Sequence, residues 1–186
     1  MLTKINKAQK PKEPATPAAK AKSFKDNKIQ VFSHNSTSTA LTMPHLFIKY
    51  VETWNEFDVY KREKHISTIL DKFDWYPKLL YSDDKNEFLI FNNVGVALVK
   101  ENKPKDLEKQ FEKILSDMAS VNVKHNDIKP GELLVDANKK IYLCDFGWAS
   151  VNDDLSCGID IWGGKGKLKP HGTYDDKSAL KRLKLI

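Results

Sequence analysis

In residues 125–147, HNDIKPGELLVDANKKIYLCDFG, the acids Asp127, Glu132 and Asp145 and the lysine Lys129 have the spacing that a short hairpin would gather. Leu133-Leu134-Val135 predicts a buried strand, residues 136–140 a polar turn, and residues 141–144 the returning strand. Asp127 precedes the first strand and Asp145 follows the second, so closing the hairpin brings both carboxylates to one end, with Glu132 between them and Lys129 beside them. Hard oxygen donors so placed suit a divalent cation, and a neighbouring carboxylate can take a proton from a hydroxyl. Two acids alone would equally suit a solvated edge.

A second lysine stands out for the opposite reason, its apolar setting. Residues 46–51, LFIKYV, predict a strand interrupted by Lys49, whose ammonium must reach a counter-charge or the sheet edge because an unpaired buried cation is costly. The next segment, residues 55–73, places Phe57, Tyr60, Ile66, Ile69, Leu70 and Phe73 largely on one helical face, with Asn55 as a cap. Glu63 falls at the margin of that face, and Glu56 lies at the helix start.

Taken in order, residues 125–135 followed by Asp145-Phe146-Gly147 resemble the H-R-D-x-K-x-x-N catalytic loop and D-F-G metal loop of the protein-kinase-like family. The Lys-Pro-Gly variant followed by Leu-Leu-Val is also similar to the loop of the aminoglycoside and choline kinase branch. The resemblance implies an α+β, two-lobed protein-kinase-like fold with a small antiparallel β lobe and a truncated helical large lobe, similar to reduced RIO-like or viral-type members. It implies transfer of the ATP γ-phosphate to a serine or threonine of a protein, with ATP and Mg2+ as cofactors. Asp127 is then the base or orienting acid for the attacking hydroxyl, Lys129 steadies the transferring phosphate, and Asp145 holds the metal. Phe-Ile-Lys-Tyr resembles the V-A-I-K strand, which makes Lys49 the α/β-phosphate contact and Glu63, rather than Glu56, its ion-pair partner. Glu132 stands where the family has its second metal-binding Asn, adding a charge and a methylene. A small-molecule kinase and a catalytically weak pseudokinase scaffold are the alternatives.

The elements that must position these residues follow from pattern. Residues 29–32 and 40–43 predict two strands around the Ser/Thr-rich turn 33–39, which lies where the family has its Gly-rich phosphate loop yet contains no glycine; Ser36, Thr37 and Ser38 are its candidate phosphate contacts. Strands at 78–81 and 87–92 around the turn 82–86 complete a five-stranded lobe. Residues 91–95 fall at the family's hinge, where the backbone of Asn93 and Val94 would hold adenine. Residues 105–120 put Leu107, Phe111, Ile114, Leu115 and Met118 on one face of an amphipathic helix. His125 reads as a packing and hydrogen-bonding residue. Residues 148–175 sit where an activation segment belongs, with Ser150 and Ser156 in it, and Asp176 opens a helix whose acid would brace the catalytic loop; Asp160 is a competing candidate.

Length and charge set the outer bounds. With 186 residues there is room for one modest domain: a small lobe at about 28–92, a hinge at about 92–95 and the remainder to 186. The net charge of +6 sits wholly within the first 28 residues, and residues 1–27, rich in Lys, Pro and Ala, read as a disordered tail able to make weak polyanion contacts. No apolar run approaches the ~20 residues of a membrane span. Two cysteines, Cys144 and Cys157, make no disulfide framework, and a reducing, cytoplasmic setting is expected, the host cytoplasm for a viral-type member.

Overall fold

Alternation of apolar residues builds the first layer. In the computed structural model, which describes residues 30–34, 38–51, 59–152 and 176–183, strands β1 (Gln30–His34), β2 (Ser38–Thr42), β3 (Leu46–Val51), β4 (Leu79–Asp83) and β5 (Phe88–Asn92) form one sheet. Its order is β1-β2-β3-β5-β4, antiparallel throughout. Along β5 Leu89 and Phe91 are buried while the residues between them are not, and along β3 Lys49 and Val51 are buried while Tyr50 is exposed. The two-residue period therefore turns Lys49 to the core face, in register with Ala40 and Leu89.

Helix α1 (Val59–Leu70) packs against β4, β5 and the turn at Phe146–Trp148. It ends three residues before the expected Phe73, because the chain leaves the helix through a turn in which the Phe73 amide donates to Leu70 O at 2.9 Å. Phe73 then stacks on Trp75 with 5.6 Å between ring centroids, and the Trp75 indole N–H donates to Asp117 at 2.8 Å. Leaving the helix there lets Tyr76 set its ring edge-on to Phe91 of β5, with 6.4 Å between centroids.

The second half begins with β6 (Val96–Ala97) and α2 (Leu107–Ser120), which buries Leu107, Phe111, Ile114 and Met118. Strands β8 (Leu133–Val135) and β9 (Ile141–Leu143) form the expected hairpin and join β6 in the order β6-β8-β9. Its turn is closed by Asp136, whose carboxylate accepts from the amides of Asn138 and Lys140 at 2.8 and 2.9 Å. Gln110 of α2 reaches that hairpin, its side-chain carbonyl accepting from the Ile141 amide at 2.9 Å. Strand β7 (Val123–Lys124) pairs with β10 (Ser150–Val151), and α3 (Asp176–Leu183) buries Ala179 and Leu183 beside α2. Gly95 passes β8 so closely that a Cβ there would lie 2.3 Å from Val135 O, so only glycine fits.

The result is a mixed α/β chain with antiparallel sheets and few helices, compatible with a small kinase-like lobe. Among the described residues no helix is long and apolar enough to cross a membrane. The expected tail 1–27, the helix start with Asn55, Glu56 and Phe57, the turn residues Ser36 and Thr37, and the segment carrying Ser156 and Asp160 lie outside the described residues. Ser38 requires a correction: it belongs to β2, in register with Val51, and not to the turn.

Candidate active site

Lys49 is the centre of the first cluster. Its Nζ lies 2.6 Å from Glu63 Oε2 on α1 and 2.6 Å from Asp145 Oδ1 after β9, so three distant segments meet on one ammonium. One cation shared by two carboxylates leaves the cluster with a net negative charge, and the carboxylates respond differently according to their depth. Glu63, with a 3% exposed side chain, is pushed above the ordinary carboxylate range by burial, which Lys49 only partly offsets. Asp145, its side chain 39% exposed, is partly desolvated, but the charge and hydrogen bond of Lys49 outweigh that and hold its carboxyl at about 2. For Lys49 burial opposes the charge, and the two anions more than reverse that, keeping it above the usual lysine range.

The second cluster is local. Lys129 Nζ lies 2.8 Å from Asp127 Oδ2 and 3.2 Å from Glu132 Oε1, all within one loop ending in the short 3-10 turn Pro130–Glu132. Burial lowers the proton affinity of Lys129, and its two acids together raise it beyond the usual lysine range. Glu132 is pushed up to about 7, first by burial and second by the negative charge of Asp145. The negative charge of Asp145 thus disfavours the ionised form of Glu132. Cys144, just before Asp145, is half-buried, its thiol pushed well up by desolvation, and its Sγ donates to Glu132 O at 3.2 Å. It is a small packing residue, not a nucleophile.

A buried imidazole ties the two clusters together. His125 Nε2 donates to Cys144 O at 3.0 Å while Nδ1 accepts the Asp127 amide at 3.2 Å, an arrangement that fits the neutral ring which burial favours. Its ring sits 4.6 Å from that of Phe146, whose other side meets Tyr76 at 5.4 Å. Asp176 braces the loop from α3, accepting the amides of His125 and Asn126 at 2.8 and 2.9 Å. Asn126 holds a left-handed backbone at φ 63° and donates through Nδ2 to Trp148 O at 3.0 Å and Ser150 Oγ at 3.1 Å.

The structure thus brings Lys49, Glu63 and Asp145 into one ion-paired group and Asp127, Lys129 and Glu132 into another. Asn93 is turned to a different use. Its amide donates to His45 O at 3.0 Å, and its side chain donates to Met43 O and Thr42 Oγ1 at 2.8 and 3.1 Å, fastening this stretch to the β2–β3 turn. The Asn93 N–H expected to face adenine is therefore occupied inside the protein. Val94 is half-buried beside it. Among the described residues no group of three or more His, Cys, Asp or Glu side chains is placed to hold a metal ion. Asp145 and Glu132 are two carboxylates, fewer than such a group needs.

Apolar periodicity passed over Arg62, Ser67 and Tyr76. Arg62 is 3% exposed and its Nη1 donates to Gly147 O at 2.8 Å; Ser67 and Tyr76 share a buried hydroxyl pair at 2.7 Å. The available signal was positional. Arg62, Glu63 and Ser67 occupy core-facing places between Val59, Ile66 and Leu70, where a polar residue needs a partner.

No family model matches the chain. Over 143 residues, 69% of the chain, it is 27% identical to an Aurora kinase of Saccharomyces cerevisiae, and it spans 38% of that protein's length. This similarity supports a kinase-like relationship.

Proposed function

We propose that the chain is an ATP- and magnesium-dependent phosphotransferase acting on a serine or threonine of a protein substrate. The observation that carries this reading is the shared ammonium, Lys49 Nζ at 2.6 Å from both Glu63 and Asp145. A cation fixed on the inner face of a sheet and oriented by a buried helix carboxylate is set to contact the α- and β-phosphates. Asp127 accepts the proton as the hydroxyl oxygen bonds to the γ-phosphorus and the bond to the bridging β–γ oxygen breaks. Lys129, 52% exposed in its side chain, is free to turn from Asp127 toward the transferring phosphate. Asp145 and Glu132 would hold magnesium, which when bound neutralises phosphate charge.

In this reading residues 28–92 are the small lobe, 92–95 the hinge and 96–186 the remainder, and the basic tail 1–27 contributes only weak polyanion contacts in an intracellular setting. A catalytically weak scaffold is the second reading. It is favoured by Glu132, an acid near 7 where the resembled family has an amide, paired with Lys129 at 3.2 Å.

The test is binding of ATP by the full chain with and without magnesium, then transfer of labelled γ-phosphate to general protein substrates and to a panel of amino-alcohols and sugars. Magnesium-enhanced binding with transfer to protein is expected. Binding without transfer to any acceptor would favour the scaffold, and absence of magnesium-dependent binding would sink the enzyme reading.

A further inference from the structure

The turn that follows Asp145 is gripped at three successive residues, and the helix α1 supplies most of the grip. Glu63 accepts a hydrogen bond from the Phe146 amide. Its neighbour Arg62, buried to 3% exposure, donates through Nη1 to Gly147 O at 2.8 Å. From the other side Asn126 Nδ2 donates to Trp148 O at 3.0 Å. Gly147 permits this approach, since a Cβ there would stand 3.1 Å from Val59 Cγ1 of α1. Two adjacent helix residues thus satisfy the N–H of one turn residue and the C=O of the next, a donor and an acceptor matched to a donor and an acceptor.

Such a grip has work to do at this place. Asp145 holds a left-handed backbone, φ 66° and ψ 63°, which a residue other than glycine keeps only where its surroundings over-determine it. Burying a guanidinium on a helix face otherwise filled by Val59, Ile66 and Leu70 is unfavourable unless its donors are used. We propose that Arg62 is a positioning residue: by holding Gly147 O it locks the Asp145 turn to α1, so that Lys49, Glu63 and Asp145 are assembled or dispersed as one unit. The role in turnover rests on reading this turn as part of a phosphotransfer centre; the mechanical lock does not.

The experiment uses the full chain with Arg62→Met, which keeps the stem and removes the donors, and Arg62→Lys, which restores one donor. Hydrogen exchange of the amides at 146–150 is compared with that of β8 and β9, and magnesium is titrated in the transfer assay. Arg62→Met is expected to speed exchange at 146–150 about tenfold relative to β8 and β9 and to raise the half-saturating magnesium concentration about tenfold, with Arg62→Lys recovering part of both. Wild-type exchange at 146–150 in Arg62→Met, or equal acceleration in β8 and β9, overturns the proposal. A wild-type chain that transfers no phosphate refutes the kinase reading instead, and the exchange measurement then decides the lock alone.

Discussion

Two lysines in this molecule each sit between two carboxylates, and almost everything else about them differs. Lys49 draws Glu63 and Asp145 from 14 and 96 residues away, and its side chain is only 7% exposed. Lys129 pairs with acids two residues before it and three after it, and its side chain is 52% exposed. The first cluster exists only when the sheet, α1 and the hairpin are all in place, so it reports the assembly of the fold. The second is a property of its loop and persists with modest change wherever that loop goes. Charge pairs in a low-dielectric interior are strongly coupled to structure, whereas exposed pairs are screened and exchange partners readily. A phosphotransfer site has use for both: one cation that never moves and one that can follow a transferring group.

The largest expected effect is on turnover, in the buried cluster. Asp145→Ala removes the carboxylate held 2.6 Å from Lys49 Nζ, and on the proposed reading the transfer rate at saturating ATP should fall on the order of a thousandfold. Rates measured across a magnesium titration check this. A folded variant with unchanged magnesium dependence would remove Asp145 from the site. Next comes Lys49→Met, read in stability. It leaves Glu63 buried without its cation, so urea unfolding should show a loss of about 3–5 kcal/mol, with part regained in Lys49→Met/Glu63→Gln. A loss under about 1 kcal/mol would mean that solvent reaches the pair, contrary to its burial.

The contrast between clusters also explains what could be read in the sequence. Strand alternation and motif order are local or spaced signals, and they sufficed for the hairpin of Leu133–Val135 and Ile141–Leu143, for the facing of Lys49 and for the reach of Asp176 to the loop. Roles that depend on unrelated segments meeting were not legible. Asn93 lies where a nucleotide contact was expected, but its amide is spent on His45, a contact that register across β3 and β5 creates and no local pattern announces. Arg62 carries no local signal of its role among the charges of residues 61–64, and the position of Gly147 beside α1 makes it a core residue. Asn126 carried a fainter mark, since asparagine tolerates the left-handed backbone that the loop requires.

A smaller effect should appear in the pH dependence of stability. Glu132 titrates at about 7 in the folded protein against an ordinary 4.5, so its pKa is raised by folding. The unfolded chain then releases this proton first, and stability contributed by the protonated form is complete below about pH 4.5 and lost as pH rises through 7. The loss is bounded at about 3 kcal/mol by the size of the shift. Glu63 tilts the same way and Asp145 the opposite, so the informative quantity is the difference between the wild type and Glu132→Gln. Melting temperatures of the two in magnesium-free buffer should converge near pH 4.5 and separate toward pH 7, with the variant higher. Parallel curves would show that Glu132 is not strained.

The smallest effect on the fold is expected from Lys129→Met, and it is the sharpest probe of the comparison. The side chain is half in solvent and its two ion pairs at 2.8 and 3.2 Å lie within one loop, so removing the charge should cost less than about 1 kcal/mol in urea unfolding. On the proposed reading the same change takes from the site its movable cation, and the transfer rate should fall about a hundredfold with little change in the affinity for ATP, because Lys49 would still hold the α- and β-phosphates. Lys49→Met and Lys129→Met would then separate cleanly, one failing mainly in stability and nucleotide affinity, the other in rate alone. If Lys129→Met instead destabilises the chain as much as Lys49→Met does, the local cluster is structural. Its lysine would then be fixed between Asp127 and Glu132 and unable to follow a phosphate.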